Sequence, residues 1–365
     1  MDTELLGMEA GIPVMLVEDV QALSPLEQGW ERLRGPFASP MQSFAWARAC
    51  VESFHLGHSL SLVVLGELER PLALAPLIRR GRTRLELIGV NELSEPTDFL
   101  YSEPEALDVL ARALVRLDAP LQLGRVLTDS PLSGALQRAF QLRGLMVTPG
   151  LLSCPFIPLD EGWAEPESKL NAGRRSDLRR MLRRAEKLGP VRCEVLSPTP
   201  AELEPLLHAA LEVEARSWKG REGTALLRDP SRLSFFQKYA SATAERGELR
   251  LCFLWIGERL AAMEFAVETG GSFWLLKIGY DEAFASCSPG VLLLVQVIRH
   301  AALRGLRTFE FLGGKEHWTQ LWTQHEHPTC AIRIYPAGAS GVMALGRDAV
   351  SVAGRRLKRL VGADE

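Results

Sequence analysis

No two of the six cysteines stand in a C-x-x-C spacing: Cys50, Cys154, Cys193, Cys252, Cys287 and Cys330 are scattered along the chain. That excludes a cysteine-built zinc ribbon and argues against a disulfide framework; reduced, mostly buried thiols in a cytoplasm fit the pattern. No apolar run reaches the roughly 18 residues of a membrane-spanning helix. The opening stretch, Met1 to Gly11, is acidic where a signal peptide would be basic and then apolar. A net charge of -3 gives no overall pull toward nucleic acid. Low-complexity tracts and residue-level repeats are missing as well.

What is present is ordinary in bulk. The 47% hydrophobic and 24% charged fractions are those of a soluble globular protein. At 365 residues the chain exceeds what one core holds, so two domains are expected. The pattern is mixed α/β. Val14 to Glu18 reads as a strand, and Ser24 to Arg34 and Ser43 to Phe54 as helices opening on a capping serine. Leu60 to Glu67 and Leu72 to Arg79 read as a hairpin. Helices over 105–117 and 132–143 flank a strand at 121–126, and Pro149 to Pro158 reads as the passage between halves.

The second half opens on a basic helix, Glu167 to Leu188, closed by Gly189-Pro190. A strand at 191–196 and helices over 200–218 and 232–246 follow. Next come a strand from Leu249, a hairpin, a Ser-Pro-Gly loop, an apolar helix from Val291 and a strand before Leu312. A strand near 329–335 would close the sheet, and a terminal amphipathic helix carries Arg355, Arg356, Lys358 and Arg359. Boundaries of 1–157, 158–338 and 339–365 follow from this order. The order of elements is similar in both halves, which points to a duplicated fold.

Two local features carry chemistry. Gly270-Gly271 suits a two-residue primed turn, and continuing its register sets Glu264 opposite Lys277. Opposed charges in otherwise apolar strands form either a structural ion pair or a base and a cation on a cleft floor. In the loop Ala283 to Gly290, Ser288 suits an N-cap, Pro289 the first helical position, and Gly290 leaves room for a ligand. A buried helix opening there, at the end of a strand, is a seat for a pyrophosphate. Nine basic residues lie between Lys169 and Arg192. They form either a solvated face or a guide for an anionic acceptor. His317, His325 and His327 lack the fixed helical spacing of zinc ligands, so no metal site is expected.

From about Leu170 to Trp322 the chain resembles the CelD-type branch of the GNAT acyltransferases, related to the FemAB peptidyltransferases. The matching stretches are Arg-Arg-Ser-Asp-Leu-Arg-Arg at 174–180, Arg-Ser-Trp-Lys-Gly at 216–220, Gly-Tyr-Asp-Glu-Ala-Phe-Ala-x-x-Ser-Pro-Gly at 279–290 and Phe-Leu-Gly-Gly-Lys-Glu-x-Trp at 311–318. Pro-Met-Gln-Ser-Phe-Ala-Trp at 40–46 and Thr-Asp-Phe-Leu at 97–100 match more loosely. The family's Tyr-Lys pair is replaced by Trp318-Thr319, and the glycine-rich pyrophosphate motif of ordinary GNATs is absent.

The resemblance implies two tandem GNAT-like domains, each a mixed sheet flanked by helices, around a central cleft. It also implies transfer of an acyl group, acetyl by preference, from acyl-CoA to an amine without a metal. Such transfer needs a base, an acid for the thiolate and an oxyanion donor. Glu264 is the candidate base, with Lys277 beside it, and Tyr280 the candidate acid. Asp281, Ser288, Pro289 and Gly290 are assigned to the cofactor, with Asp281 also readable as a plain turn residue. Asp98, Arg174, Arg175, Trp218, Lys219, Glu316 and Trp318 are assigned to the acceptor.

The acceptor expected is a small or lipid-linked polar molecule, such as an amino sugar in envelope polysaccharide synthesis. The setting expected is the cytoplasm, with the terminal helix either touching the inner face of the membrane or covering the sheet. A FemAB-like transfer from aminoacyl-tRNA to a peptidoglycan precursor stays open. So does a silent protein that binds a precursor or a partner.

Overall fold

The computed structural model describes residues 3–35, 39–55, 60–81 and 83–361. The chain divides into two compact units, neither continuous in sequence. The first comprises 1–35, 55–152 and 328–365; the second comprises 36–54 and 153–327. The mixed α/β class expected from the sequence is the one observed, sheets flanked by helices.

In the first unit, β1 (Thr3–Glu9), β2 (Ile12–Val17), β3 (Leu62–Glu67), β4 (Arg70–Ala75) and β7 (Leu100–Tyr101) form an antiparallel sheet in that order. β1 went unread in the sequence, where its acidic residues masked a strand. A second group joins β5 (Leu77–Arg80), β6 (Arg84–Leu87), β8 (Leu121–Leu127), β16 (Glu326–Pro336) and β9 (Gly144–Val147). The strand read near 329–335 pairs with β8 and β9 of the first unit.

Helices α4 (Pro104–Val115) and α5 (Leu132–Phe140) present Leu107, Leu110, Leu114 and Leu136 at helical spacing, and these join Val63, Leu65 and Ile332 in one core. α1 (Glu27–Arg34) follows a 3-10 turn capped by Asp19, so Ser24 lies inside that turn and is not a cap. α3 (Val90–Leu93) is a single turn.

The second unit is built on the order β11 (Val191–Leu196), β12 (Leu249–Ile256), β13 (Arg259–Thr269), β14 (Ser272–Tyr280), β15 (Thr308–Glu310) and β10 (Leu151–Pro158). The stretch read as a passage between halves is thus strand β10, antiparallel to β15. β11 to β14 form an antiparallel meander, and β15 runs parallel to β14. α10 (Pro289–Leu303) covers one face, with α6 (Ala172–Glu186) packed against it. α7 (Pro200–Ala215) and α9 (Pro230–Glu245) cover the other. α2 (Phe44–Phe54), capped by Ser43, packs on α9 through Trp46, whose ring meets Phe235 at 4.8 Å and Tyr239 at 5.0 Å.

Two helices are shorter than their periodicity suggests. The basic helix begins only at Ala172, because Asn171 is extended and its side chain caps the Arg174 amide. The helix read through Trp218 stops at Ala215. Ser217 is extended and caps α8 (Trp218–Glu222), so Trp218 and Lys219 open a short helix rather than end a long one. A side chain at Gly220 would collide with the Ala215 carbonyl at 1.8 Å, which explains the glycine in this motif. The terminal helix is α11 (Ala339–Val361).

Candidate active site

The turn at Gly270-Gly271 has the positive φ values (62° and 76°) that two-residue primed turns require. It pairs Thr269 with Ser272 and Val267 with Trp274, as the sequence predicts. The register then slips. Ala266 faces Leu275, Phe265 faces Lys277, and Glu264 faces Ile278, leaving Leu276 as an extra residue in β14. This bulge overturns the expected opposition of Glu264 and Lys277 and puts the two residues on opposite faces of the sheet. Lys277 shares its face with Phe265, and its ammonium lies 5.4 Å from the Phe236 ring of α9. Glu264 shares the α10 face with Ala262 and Ala266.

The slip decides the chemistry of Glu264. Its side chain is 2% exposed, between Cys252 of β12 and Ile278 of β14, and Oε2 has no hydrogen-bond partner among the described residues. Burial pushes its carboxyl up to about 8. Ile278 beside it is 37% exposed, so the apolar cover ends there. Burial, and then the Glu264 charge, push the Cys193 thiol up to about 12, so that thiol is no nucleophile.

β14 and β15 pair only from Ser272/Thr308 to Trp274/Glu310. Beyond that, 275–280 keep β13 on one side and no strand on the other among the described residues. Backbone groups along such an opened edge suit a developing oxyanion. At the end of this edge, Tyr280 stands against the start of α10: a Cβ on Gly290 would meet only the Tyr280 ring, at 3.8 Å. Ser288 holds the N-cap position in a left-handed conformation (φ 50°) and makes no side-chain cap, contrary to the expected serine cap. Its carbonyl takes the Val291 and Leu292 amides. Pro289 is buried at the first helical position, and Gly290 is half-buried. Since Pro289 has no N–H and the Val291 and Leu292 amides go to Ser288, the Gly290 amide is the one these bonds leave open in residues 289–292.

Asp281 is 5% exposed and fully engaged. It accepts the Ala283 amide at 2.9 Å and pairs with Arg259 at 3.1 Å and Arg216 at 3.2 Å. Its place is to hold the 282–287 turn, which Arg184 of α6 also grips through the Ser286 carbonyl at 3.1 Å. Asp281→Asn should destabilise the protein by about 1–3 kcal/mol, because two arginines lose their shared anion at a buried position. Urea unfolding at pH 7 measures this, and an unchanged midpoint would remove the clamp from the account.

At the rim of the same edge, Lys219 donates to the Ile278 carbonyl at 2.6 Å and lies 3.5 Å from Glu214. Burial lowers the Lys219 pKa, while the charges of Glu214 and Glu316 oppose that shift. Glu316 accepts the Trp318 indole N–H at 2.7 Å, and Trp318 stands edge-on to Phe311. Trp218, at the start of α8, is exposed. The structure therefore gathers Lys219, Glu316 and Trp318 near the end of β14, where Tyr280 meets Gly290.

Other candidates lie elsewhere. Arg174 and Arg175 stand about 15 Å along α6 from Arg184, and Arg175 donates to the Leu170 carbonyl. The α6 arginine that donates to the 282–287 turn is Arg184, which the sequence offered only as one of nine basic residues. Glu214, buried at the end of α7 and accepting the Leu226 amide, went unread because a lone helical glutamate gives no signal. Asp98 belongs to the first unit, where burial pushes it up to about 6 against hydrogen bonds from Ser130 and the Phe99 amide. His325 and His327 pack on Phe156, and His327 lies 3.3 Å from Glu310.

Residues 172–320 match the family model of the acetyltransferase (GNAT) domain. The matched residues all lie in the second unit and support an acyltransferase. Among solved structures, the chain is similar to FemX (TM-score 0.57, 14% identity, 88% of this chain and 97% of that one). It is also similar to the C-terminal domain of a putative lysylphosphatidylglycerol synthetase from Agrobacterium fabrum (TM-score 0.54, 12% identity, 90% and 96%). A conserved protein of unknown function from Bacteroides thetaiotaomicron is a third (TM-score 0.52, 10% identity, 90% and 99%). At these identities the likeness is one of fold. A comparison with curated proteins gives no match.

Proposed function

We propose that the protein transfers an acyl group, acetyl by preference, from acyl-CoA to the amine of a polar acceptor such as an amino sugar in envelope polysaccharide synthesis. The observation that carries this reading is Glu264: a buried carboxyl, unpartnered at Oε2 among the described residues, on the sheet whose β14 edge, beyond its pairing with β15, ends where Tyr280 meets Gly290 near the start of α10. Acyl-CoA would lay its pyrophosphate at the N-terminus of α10, on the Gly290 amide and the positive end of the helix dipole, with its thioester along 275–280. Glu264, directly or through a water, would take the proton of the attacking amine, and Tyr280 would protonate the thiolate. Ser288 and Pro289 shape the helix start, while Asp281 holds the turn before it.

Trp218, Lys219, Glu316 and Trp318 supply the aromatic and polar contacts that a sugar-like acceptor needs. The Trp318-Thr319 departure leaves Lys219 as the lysine at this rim. Lys277, on the other face, has no step in this scheme. The cytoplasm, where acyl-CoA is made, is the compartment this chemistry suits.

A second reading, FemAB-like transfer from aminoacyl-tRNA, draws support from the outward arginines of α6. Calorimetry separates them. Acetyl-CoA should bind one to one, and aminoacyl-tRNA should not compete with it. Binding of aminoacyl-tRNA alone would transfer the case to the second reading, and binding of neither would sink both.

A further inference from the structure

Between α4, α5 and the turn that follows α5 lies a hollow of about 730 Å³ that acyl transfer does not use. Its charged lining sets four arginines, Arg112, Arg116, Arg138 and Arg143, against two acids, Glu9 and Asp108, so positive charge is in excess. All of these residues belong to the first unit. The acids orient the arginines without exhausting them. Arg112 donates from Nε to Glu9 at 3.1 Å, and Arg138 donates to Asp108 from Nε at 3.2 Å and from one terminal nitrogen at 2.6 Å. Arg116 gives a single terminal nitrogen to Glu9 and to the Met8 carbonyl. The other nitrogens of these guanidiniums have no protein partner among the described residues. Glycines make room for two of the forks: a Cβ at Gly7 would stand 3.1 Å from a terminal nitrogen of Arg116, and one at Gly134 would stand 3.2 Å from that of Arg138. Helix-end charge accounts for Arg112 and Arg138, each in the last turn of its helix. It does not account for Arg143, which lies beyond α5 and has no ion pair among the described residues.

We infer that this hollow binds a phosphorylated small molecule. Phosphate oxygens are matched by planar guanidinium forks, and each carboxylate here holds one edge of a fork while the remaining donors are left for a ligand. Val115, Ala135 and Ala139 add apolar lining, and Leu142, 97% exposed, offers an apolar contact to the ligand's ring. Size and charge select the occupant. The volume falls within the roughly 300–1,000 Å³ of small-molecule sites. A nucleic-acid strand would need basic residues spread along its phosphates, whereas the excess charge here is gathered in one concavity. The inference is independent of the acyl-transfer reading, because it uses none of that site's residues.

Titration calorimetry of the full chain with ADP and with inorganic pyrophosphate tests it. Both should bind at low ionic strength, and both affinities should fall about tenfold or more in about 0.5 M salt. Under the acyl-transfer reading the start of α10 offers a diphosphate a second seat, so the titrations are repeated in Gly290→Asp, where binding to the hollow should persist. In that background Arg143→Gln should weaken ADP binding about fivefold, with Tm unchanged because the side chain has no ion pair to lose. Arg143→Lys, which keeps the charge but not the fork, should recover part of that loss. Combining Arg112→Gln with Arg143→Gln should weaken binding about tenfold or more. Adenosine alone should not bind. Absence of binding of both ADP and pyrophosphate to Gly290→Asp, or binding there that ignores the Arg112 and Arg143 substitutions, would overturn the inference. So would adenosine binding as tightly as ADP.

Discussion

Glu264→Gln should lower kcat/KM for acyl transfer by about 10²–10⁴, the range a positioned general base contributes. The pH profile should change with it. In the parent, activity rises as the carboxyl loses its proton, with a midpoint near the value of about 8 that burial imposes. In the variant that acidic limb should vanish, since glutamine has no proton to lose.

Stability should move the other way. The folded-state pKa, about 8, lies above the ordinary 4.5, so between these values the folded protein binds more protons than the unfolded chain. The stability of the parent therefore falls as pH rises through this window and levels off above it. Glutamine removes that slope, and the variant should outlast the parent above pH 8. Rate assays and thermal melts from pH 5 to 9 (roughly the span over which the carboxyl titrates) read both effects. Parent-like turnover with a parent-like profile would take Glu264 out of the mechanism.

Gly290→Asp separates ligand binding from folding by sign. A side chain at Gly290 meets only the Tyr280 ring, at an ordinary contact distance of 3.8 Å. An aspartate in the first turn of α10 complements the helix dipole and should hold or slightly raise Tm, by up to about 1 kcal/mol in stability. The same charge would repel a pyrophosphate placed there, so the Kd for acyl-CoA should rise at least tenfold, about 1.4 kcal/mol. Gly290→Ala adds bulk without charge and should weaken binding less. If Gly290→Asp binds acyl-CoA like the parent, the cofactor does not use this helix start.

These two predictions depend differently on what could be read in advance. The helix at Ser288–Gly290 and the turn at Gly270-Gly271 are local: proline, glycine and apolar spacing within about a dozen residues dictate them. Glu264 was legible as an anomaly, a carboxylate in an apolar strand. Its partner was not. Pairing by strict alternation gives it Lys277, and only the bulge at Leu276 denies it that cation. Leu275 and Leu276 are both buried, so burying consecutive leucines costs one step of register, and that preference is set by packing on both faces of the sheet. Had the alternation continued, the lysine would have held Glu264 ionised as an ion pair.

By itself the sequence determined the mixed α/β class, the turn and helix-start positions, and the motif-bearing stretch from about Leu170 onward, because each rests on neighbours along the chain. The tertiary structure decided the rest. It assigned α2 and its 40–46 motif to the second unit and most of β16 to the first. It brought Lys219 to the Ile278 carbonyl, 59 positions away in the sequence. It left Glu264 without a cation. Such outcomes depend on which surfaces bury one another, and burial is a property of the folded chain as a whole.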